Sequence, residues 1–124
     1  MFLLKLHNLY KNYSKVKEIQ DFNDIDMRVG TVVDVKDFPE ARKDFYKITI
    51  DFGKLGFYNS SAQITINYSK EELVGKKIIS VINLGYKKIA GFKSQCLILG
   101  VNYDDHIILV HPKKNILNGT SILW

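Results

Sequence analysis

The stretch that decides the fold is Arg28-Val29-Gly30-Thr31-Val32-Val33-Asp34-Val35-Lys36, because its hydrophobic pattern repeats at every second residue. Along an extended chain, positions 29, 31, 33 and 35 lie on one face and the charged residues lie on the other. A period of two is the pattern of a strand with one face in the core. The segment therefore predicts a β-strand that buries Val33, with Val32 as the exception to the alternation.

The same alternation recurs downstream and predicts a chain made mainly of strands. Residues 46–52 bring four apolar side chains to one face, and a glycine-bounded turn follows them. Further strands are predicted at residues 57–66, 76–84, 95–101 and 106–110. The Asn-Tyr-Asp-Asp sequence at residues 102–105 has the composition of a turn and is expected to join the last two strands as a hairpin.

A short helix is predicted between the third and fourth strands. Ser69 and Glu72 have the spacing of a capping box, in which each side chain accepts a hydrogen bond from the backbone amide of the other. Gly75 then supplies the left-handed residue that ends the helix. Three strands, a short helix and two or three more strands follow the order of an OB-fold. We therefore predict an all-β OB-fold, a five-stranded barrel with a short capping helix.

The first 21 residues have a different period from the rest of the chain. Apolar side chains at positions 2, 6, 9, 13 and 16 recur at helical spacing, with lysines between them. We therefore predict an added N-terminal helical segment, residues 1–21, followed by the barrel domain, residues 22–124. A basic amphipathic helix of this kind packs on the protein itself or lies on a membrane surface, and the first arrangement is the commoner one.

The composition is that of one soluble globular domain, with 124 residues of which 46% are hydrophobic and 25% are charged. No signal peptide or membrane span is recognisable, and the single cysteine, Cys96, excludes an internal disulfide. These features predict a cytoplasmic protein without membrane insertion. The net charge of +5 favours an anionic partner. All but two of the 18 cations are lysines, which favours diffuse phosphate contacts over base readout.

The residues that catalysis needs do not come together in the sequence. His106 and His111 are five residues apart on a predicted strand, so they point to opposite faces and do not share a metal. Cys96 begins an apolar strand without a nearby His or Asn, which is typical of a core thiol. The glycines lack the spacing of a phosphate-binding loop. The sequence thus predicts no catalytic residues, metal, cofactor or small-molecule substrate.

Seven blocks of sequence, in order and without a large gap, resemble CsaA proteins. They are DMRVGTV at 26–32, FPEARK at 38–43, IDFG at 50–53, SSAQI at 60–64, EELVGK at 71–76, GFKSQCLILG at 91–100 and the closing segment at 112–120. The resemblance runs from about residue 22 to the C-terminus and leaves the predicted N-terminal helix outside it. Any one block is weak evidence, but seven blocks in order are specific.

The resemblance implies an OB-fold tRNA-binding domain that forms dimers, in a family described as chaperone-like and linked to protein export. Related domains occur as appendages of methionyl-tRNA synthetases and as free tRNA-binding proteins. Two positions differ from the tRNA-binding relatives: Leu84-Gly85-Tyr86 follows Asn83 where prolines are usual, and Cys96-Leu97 replaces a Gly-Met pair. These differences, together with the SSAQI block, favour the CsaA interpretation over tight tRNA binding.

Ligands of an OB-fold bind across its middle strands and flanking loops, where lysines contact phosphates and aromatic rings stack. On this basis we predict a surface for peptide or RNA made of Arg42, Lys43, Ser60, Ser61, Gln63, Asn83, Tyr86, Lys87, Lys88, Phe92, Lys93, Ser94 and Gln95. Ser60, Ser61 and Gln63 are expected to line a surface or a dimer groove, because buried hydroxyls and amides are costly unless paired. Alternatively, the lysines form a solvated loop and Phe92 fills the barrel.

Two functions follow from this surface. In the first, a homodimer holds unfolded preprotein segments in two apolar grooves rimmed by cations, and works with the export machinery. In the second, the same grooves hold tRNA or another folded RNA. The resemblance implies the homodimer, and the apolar residues near both chain ends, 2–9 and 116–124, favour it because an apolar terminus left in water is a liability.

Overall fold

The computed structural model describes residues 16–123. A short helix, α1, spans Ile19–Asn23. The strands are β1 (Met27–Asp37), β2 (Tyr46–Asp51), β3 (Phe57–Ala62), β4 (Lys77–Val81), β5 (Lys87–Ile89), β6 (Phe92–Ser94), β7 (Leu97–Ile98), β8 (Gly100–Tyr103) and β9 (His106–Leu109). A 3₁₀ turn at Gly53–Leu55 precedes β3, and a second helix, α2 (Lys70–Leu73), precedes β4. Most of the predicted N-terminal helix lies outside the described residues.

Five of the strands form an antiparallel, nearly closed barrel in the order β3-β2-β1-β4-β7. Its interior is filled by apolar side chains from alternate positions, and Ile48, Ile50 and Ile78 are at most 1% exposed. Leu73 of α2 is also fully buried, so this helix packs against the same core. The prediction of an all-β, OB-type barrel with a short capping helix is therefore confirmed.

The capping helix α2 begins as the sequence predicts. The Ser69 hydroxyl accepts from the Glu72 amide at 3.1 Å, and the Glu72 carboxylate accepts from the Ser69 amide at 2.9 Å. The bond that the Glu72 carboxylate accepts from the Ser69 amide, with a smaller contribution from the Ser69 hydroxyl, lowers the pKa of the Glu72 carboxyl below its usual value. Gly75 follows at a φ of 92°, and its amide donates to the Val32 carbonyl at 2.8 Å, which ties the end of the helix to β1.

Strand β1 contains a bulge that the alternation does not reveal. Its pairing with β2 shifts register between Val32 and Asp34, which leaves Val33 without a direct partner. Val33 is consequently 41% exposed, whereas Val32 and Val35 are 1% and 8% exposed. The prediction that Val33 faces the core is wrong, and Val32, which interrupts the alternation, is the core residue.

Three other strands differ from their predicted bounds. β3 ends at Ala62 rather than at Ile66, whose side chain is 72% exposed. β4 ends at Val81 instead of continuing to Leu84. The predicted strand at 95–101 is divided into β7 and β8, because β7 pairs with β4 whereas β8 pairs with β9. In each case the strand ends or changes partner at a point where the hydrophobic pattern continues.

Two hairpins, β5–β6 and β8–β9, lie outside the five-stranded sheet. The β8–β9 hairpin has its turn where the sequence predicts it, with Asp104 and Asp105 both at positive φ, as in a type I′ turn. The β5–β6 hairpin turns at Ala90 and Gly91, also at positive φ, within a segment that the sequence pattern leaves as a loop. Its strands are three residues long, which is too short for an alternation to be recognised.

A C-terminal strap, residues 117–122, completes the barrel wall beside β1. The Val29 amide donates to the Thr120 carbonyl at 2.9 Å, and the Gly119 amide donates to the Val29 carbonyl at 2.7 Å. The Arg28 guanidinium donates to the Gly119 carbonyl at 2.9 Å and to the Asp26 carboxylate at 2.6 Å. The strap thus pairs with the part of β1 that precedes its pairing with β2.

Gly30 of β1 faces the barrel interior, where a Cβ atom would lie 2.6 Å from Ile50 and 2.7 Å from the Phe52 ring. Both neighbours are 0% exposed and have no room to move aside. We expect Gly30→Ala to lower the free energy of unfolding in urea by about 1–3 kcal/mol, the usual cost of overpacking a core. The control Val33→Ala, at an exposed position of the same strand, should change it by less than about 0.5 kcal/mol. Equal stability of the two variants would contradict the prediction.

Candidate functional site

The surface that OB-folds use for ligands is formed by the outer side of the middle strands and by two connecting segments. On β2, Lys47, Thr49 and Asp51 point outward and are half-buried, while the residues between them are buried. The segments that border this face are the β1–β2 loop, residues 38–45, and the β5–β6 hairpin together with the residues that lead into it, 84–94. We call the outer side of β2 and β3 together with these two segments the ligand face.

The hairpin presents cations and an aromatic ring on one of its sides. Its register pairs Lys88 with Lys93 and Ile89 with Phe92, and directly opposed residues share a side. By the same alternation Tyr86 lies on the side of Lys88 and Lys93, and the Lys93 ammonium is 4.5 Å from the centre of the Tyr86 ring. Tyr86 is 61% exposed. The structure thus brings three of the predicted site residues together on an exposed surface.

Phe92 points to the other side of the hairpin, towards the barrel. Its ring meets the Phe38 ring edge-to-face, with centroids 5.5 Å apart and planes at 71°. The Lys47 ammonium lies 4.7 Å from the Phe38 centroid and 5.6 Å from the Phe92 centroid. We call Phe38, Lys47 and Phe92 the clamp. Lys47 is not among the predicted site residues. The alternation of polar and apolar residues in β2 indicates only that its side chain faces outward, and the two rings that it contacts are distant along the chain.

The barrel closes where β3 meets the segment that follows the hairpin, which we call the seam (β3 with residues 94–96). The Gln95 amide donates to the Asn59 carbonyl at 2.7 Å, and the Asn59 amide donates to the Gln95 side-chain carbonyl at 2.9 Å. The Ser61 amide donates to the Ser94 hydroxyl at 3.1 Å. Ser94 and Gln95, which are predicted site residues, therefore satisfy the backbone of β3 in this structure.

Ser60 and Ser61 lie inside the seam. The Ser60 hydroxyl donates to the Cys96 carbonyl at 2.9 Å, and the two serines are 1% and 3% exposed. The prediction that this polar run lines a surface is wrong for both of them, because the hairpin and residues 94–96 cover it. Gln63, just beyond the end of β3, is exposed as predicted.

Asn83 joins the start of the barrel to the end of β4. Its side-chain carbonyl accepts from the Asp26 amide at 2.9 Å, and its side-chain amide donates to the Asp24 carbonyl at 2.8 Å. Both hydrogen-bonding groups of the side chain thus bind the protein's own backbone. Asn83 therefore holds the segment that precedes the hairpin against the segment that precedes β1.

Uncompensated positive charge accumulates on the ligand face. The Lys47 ammonium is 3.9 Å from the Glu40 carboxylate, which is a long and weak ion pair. The exposed predicted cations have no ion pair within residues 16–123; they are Arg42, Lys43, Lys87, Lys88 and Lys93. The loop and the hairpin therefore face a ligand with free cations.

An open depression of about 250 Å³ lies at the base of the β1–β2 loop. Its lining combines aromatic rings with two carboxylates, from Asp37, Phe38, Pro39, Asp44, Phe45, Tyr46 and Thr65. Asp37 is paired with Lys70 at 2.7 Å, and this carboxylate raises the pKa of the lysine. The depression thus differs in charge from the cationic surface of the hairpin.

Among residues 16–123, no three His, Cys, Asp or Glu side chains are grouped so that they could hold a metal ion. Within the same range, no helix has the length and apolar character needed to cross a membrane.

The fold has counterparts in known proteins. Residues 27–121 match the family described as "Putative tRNA binding domain". The structure superposes on CsaA chaperones from Bacillus anthracis and Picrophilus torridus, each with a TM-score of 0.82, at 42% and 46% identity. The matches cover 87% and 86% of this chain and 99% of each of those chains. The chain belongs to the CsaA branch of the tRNA-binding-domain family.

This CsaA-branch domain also has relatives within larger enzymes. The methionine–tRNA ligase of Pyrococcus horikoshii is 34% identical over 105 residues, which are 85% of this chain and 14% of the ligase. Across the ligases that it matches, the chain spans 14–16% of their length. The similarity to the ligases therefore concerns the binding domain alone.

Cys96 provides a chemical probe of the seam. Burial raises the pKa of its thiol from 9.0 to about 11, so the neutral form contributes stability below pH 9 that is lost as the pH rises from 9 towards 11. We expect the native thiol to react with Ellman's reagent at pH 8 at least about 100-fold more slowly than in urea, because the thiolate fraction falls about tenfold per unit of pKa. Cys96→Ala should remove this part of the alkaline destabilisation. Equal rates of reaction in the native and unfolded protein would contradict a closed seam.

Proposed function

We propose that this chain is a non-catalytic, CsaA-like chaperone that binds unfolded preproteins in the cytoplasm, in connection with protein export. The observation that carries the proposal is the similarity to two solved CsaA chaperones, at 42–46% identity over 99% of each of those chains. A likeness of this extent includes the barrel, both hairpins and the seam. The proposal requires no metal, cofactor or reacting side chain.

The ligand face is the proposed polypeptide-binding surface. Phe57, Leu84 and Tyr86 are 66%, 55% and 61% exposed, so they are available to the apolar side chains of an unfolded segment. Direct contacts are proposed for Arg42, Lys43, Gln63, Tyr86, Lys87, Lys88 and Lys93, and a supporting role for Ser60, Ser61, Asn83, Phe92, Ser94 and Gln95. In this scheme the apolar groups give the affinity and the cations add a weak selection by charge.

A homodimer is part of the proposal. The β8–β9 hairpin pairs Val101 with Ile108 and Tyr103 with His106, so these four side chains share one side. Val101, Tyr103 and Ile108 are 53%, 71% and 41% exposed, whereas Leu109 on the opposite side is buried. We propose that a second copy of the chain covers this apolar side, since contiguous exposed apolar surface marks an interaction site.

The second candidate function is the binding of tRNA or another structured RNA by the same surface. The observation that favours it is the exposed side of the hairpin, where Tyr86 lies with Lys88 and Lys93. Lysines that track a phosphate backbone, next to a ring on which a base stacks, are the usual elements of such a site. The family to which residues 27–121 belong is consistent with this candidate as well.

The dimer proposal predicts the behaviour of variants of the β8–β9 hairpin. We expect the wild-type protein to sediment as a dimer at micromolar concentration, and Val101→Asp/Ile108→Asp to sediment as a monomer because two carboxylates would be buried unpaired. Leu55→Asp, at a 43% exposed position in the 3₁₀ turn, is the control and should remain a dimer. Sedimentation velocity distinguishes the two states, and a monomeric wild-type protein would refute the dimer.

The two candidate functions predict different results for a charge reversal on the hairpin. We expect Lys87→Glu/Lys88→Glu to abolish binding of tRNA, because phosphates would then face carboxylates, and to reduce binding of reduced, carboxymethylated ribonuclease A by less than about threefold. Fluorescence anisotropy measures both affinities. The matched control is Lys113→Glu/Lys114→Glu, which reverses an exposed lysine pair elsewhere in the chain.

Salt provides the second measurement on the same proteins. As the salt concentration rises, binding of tRNA should weaken, with a slope of log binding constant against log salt concentration of about 0.7–0.9 per neutralised phosphate. Binding of apolar segments should stay the same or strengthen. Failure of the wild-type protein to bind the unfolded polypeptide at any salt concentration would refute the chaperone proposal. Loss of polypeptide binding in the hairpin variant but not in the control variant would assign the main affinity to charge.

A further inference from the structure

Among the described residues, the hydrogen bonds and ring contacts that attach the β5–β6 hairpin to the barrel come from β6. On the β6 side, Phe92 packs against Phe38 and the Ser94 hydroxyl accepts from the Ser61 amide. Three exposed residues at the start of β5 make no side-chain hydrogen bond or ion pair with the barrel among the described residues; they are Tyr86, Lys87 and Lys88. The direction in which the exposed side of the hairpin points is therefore set by the contacts of β6.

Lys47 lies where those contacts meet the β1–β2 loop. Phe38 is the first residue of the loop and is 4% exposed, so its ring is buried at the base of the loop. Phe92 belongs to the hairpin, and the Lys47 ammonium is within 6 Å of both ring centroids, the range in which a cation attracts the face of a ring. The Lys47 side chain, which projects from β2, thus contacts both the loop and the hairpin.

The charge of Lys47 is only lightly engaged elsewhere. Its nearest carboxylate, Glu40, is 3.9 Å away and 59% exposed, and the lysine side chain itself is 31% exposed. Its neighbour across the strands, Lys36, is paired with Asp34 at 3.7 Å, is 72% exposed and contacts no ring. The two lysines are opposed in the register of β1 and β2, but among the described residues Lys47 contacts two rings and Lys36, which is more exposed, contacts none.

We infer that Lys47 is a positioning residue for the ligand face, holding the hairpin against the β1–β2 loop through the clamp and so setting the separation between the cations of the two segments. The inference rests on the proposed function only in that the same surface binds the ligand. Lys47 acts through Phe38 and Phe92 and makes no contact with the ligand itself. Any ligand that spans the loop and the hairpin depends on this spacing.

The first test requires no ligand. In Lys47→Met, which keeps the apolar stem and removes the charge, the amides of Ser61 and Gln95 should exchange with deuterium about two- to fivefold faster, the factor expected for loss of a partly exposed cation–π contact. Lys47→Arg should restore the wild-type rate, because a guanidinium stacks on rings. Lys36→Met is the matched control and should exchange as wild type does. Phe92→Leu is the second variant and should behave as Lys47→Met does.

The second test measures binding of total tRNA and of reduced, carboxymethylated ribonuclease A. We expect Lys47→Met to weaken whichever of the two the wild-type protein binds by about two- to fivefold, with an unchanged salt slope and with recovery in Lys47→Arg. A fall of about one in the salt slope for tRNA would mean that Lys47 contacts a phosphate directly, which would overturn the inference. The inference would also be overturned if the amides of Ser61 and Gln95 exchanged at the same rates in Lys47→Met as in Lys36→Met. If the wild-type protein bound neither probe, the proposed function would fail while the exchange result would still decide the role of Lys47.

Discussion

The structure depends on the way in which the barrel closes at its seam. The free edge of β3 carries buried backbone groups, and such groups need partners. Among the described residues, one backbone bond crosses the seam, from the Gln95 amide to the Asn59 carbonyl, and side chains supply the other links. The side chains of Ser94 and Gln95 thus accept hydrogen bonds from the edge of β3, as the backbone of a neighbouring strand does elsewhere in the sheet. Ser60, buried in β3, adds a bond from its hydroxyl to the Cys96 carbonyl.

This closure also determines where the ligand face is. The residues that satisfy β3 come directly after β6, so the hairpin is held at the point where the barrel is closed. The edge-to-face contact of Phe92 with Phe38 then sets its direction, and Lys47 reinforces that contact. Fold and site are therefore coupled, because a change that loosens the seam also displaces the cations and the ring that the hairpin presents.

The parts of the fold that local sequence determines were predictable. Alternation identified the long strands, and the Ser69–Glu72 spacing identified the capping helix, because both depend on residues close together in the chain. The exposure of Val33 was not predictable, since the bulge arises from the pairing of β1 with β2. The burial of Ser60 and the position of Lys47 depend on contacts with residues far along the chain. The residues of the hairpin were predicted as a group, but which side of the hairpin each one occupies required its register.

The distribution of charge makes the ligand face compatible with both proposed ligands. The described carboxylates that form ion pairs lie mainly on the body of the barrel, where Asp26 pairs with Arg28 and Asp37 pairs with Lys70. The cations of the loop and the hairpin have no such partner within residues 16–123, so they are available to a ligand. Free lysines next to exposed rings attract phosphates, and they also leave apolar surface open to the side chains of an unfolded segment. In the proposed function the cations bind phosphates and the apolar groups bind an unfolded segment, and the seam and the clamp set the spacing of both.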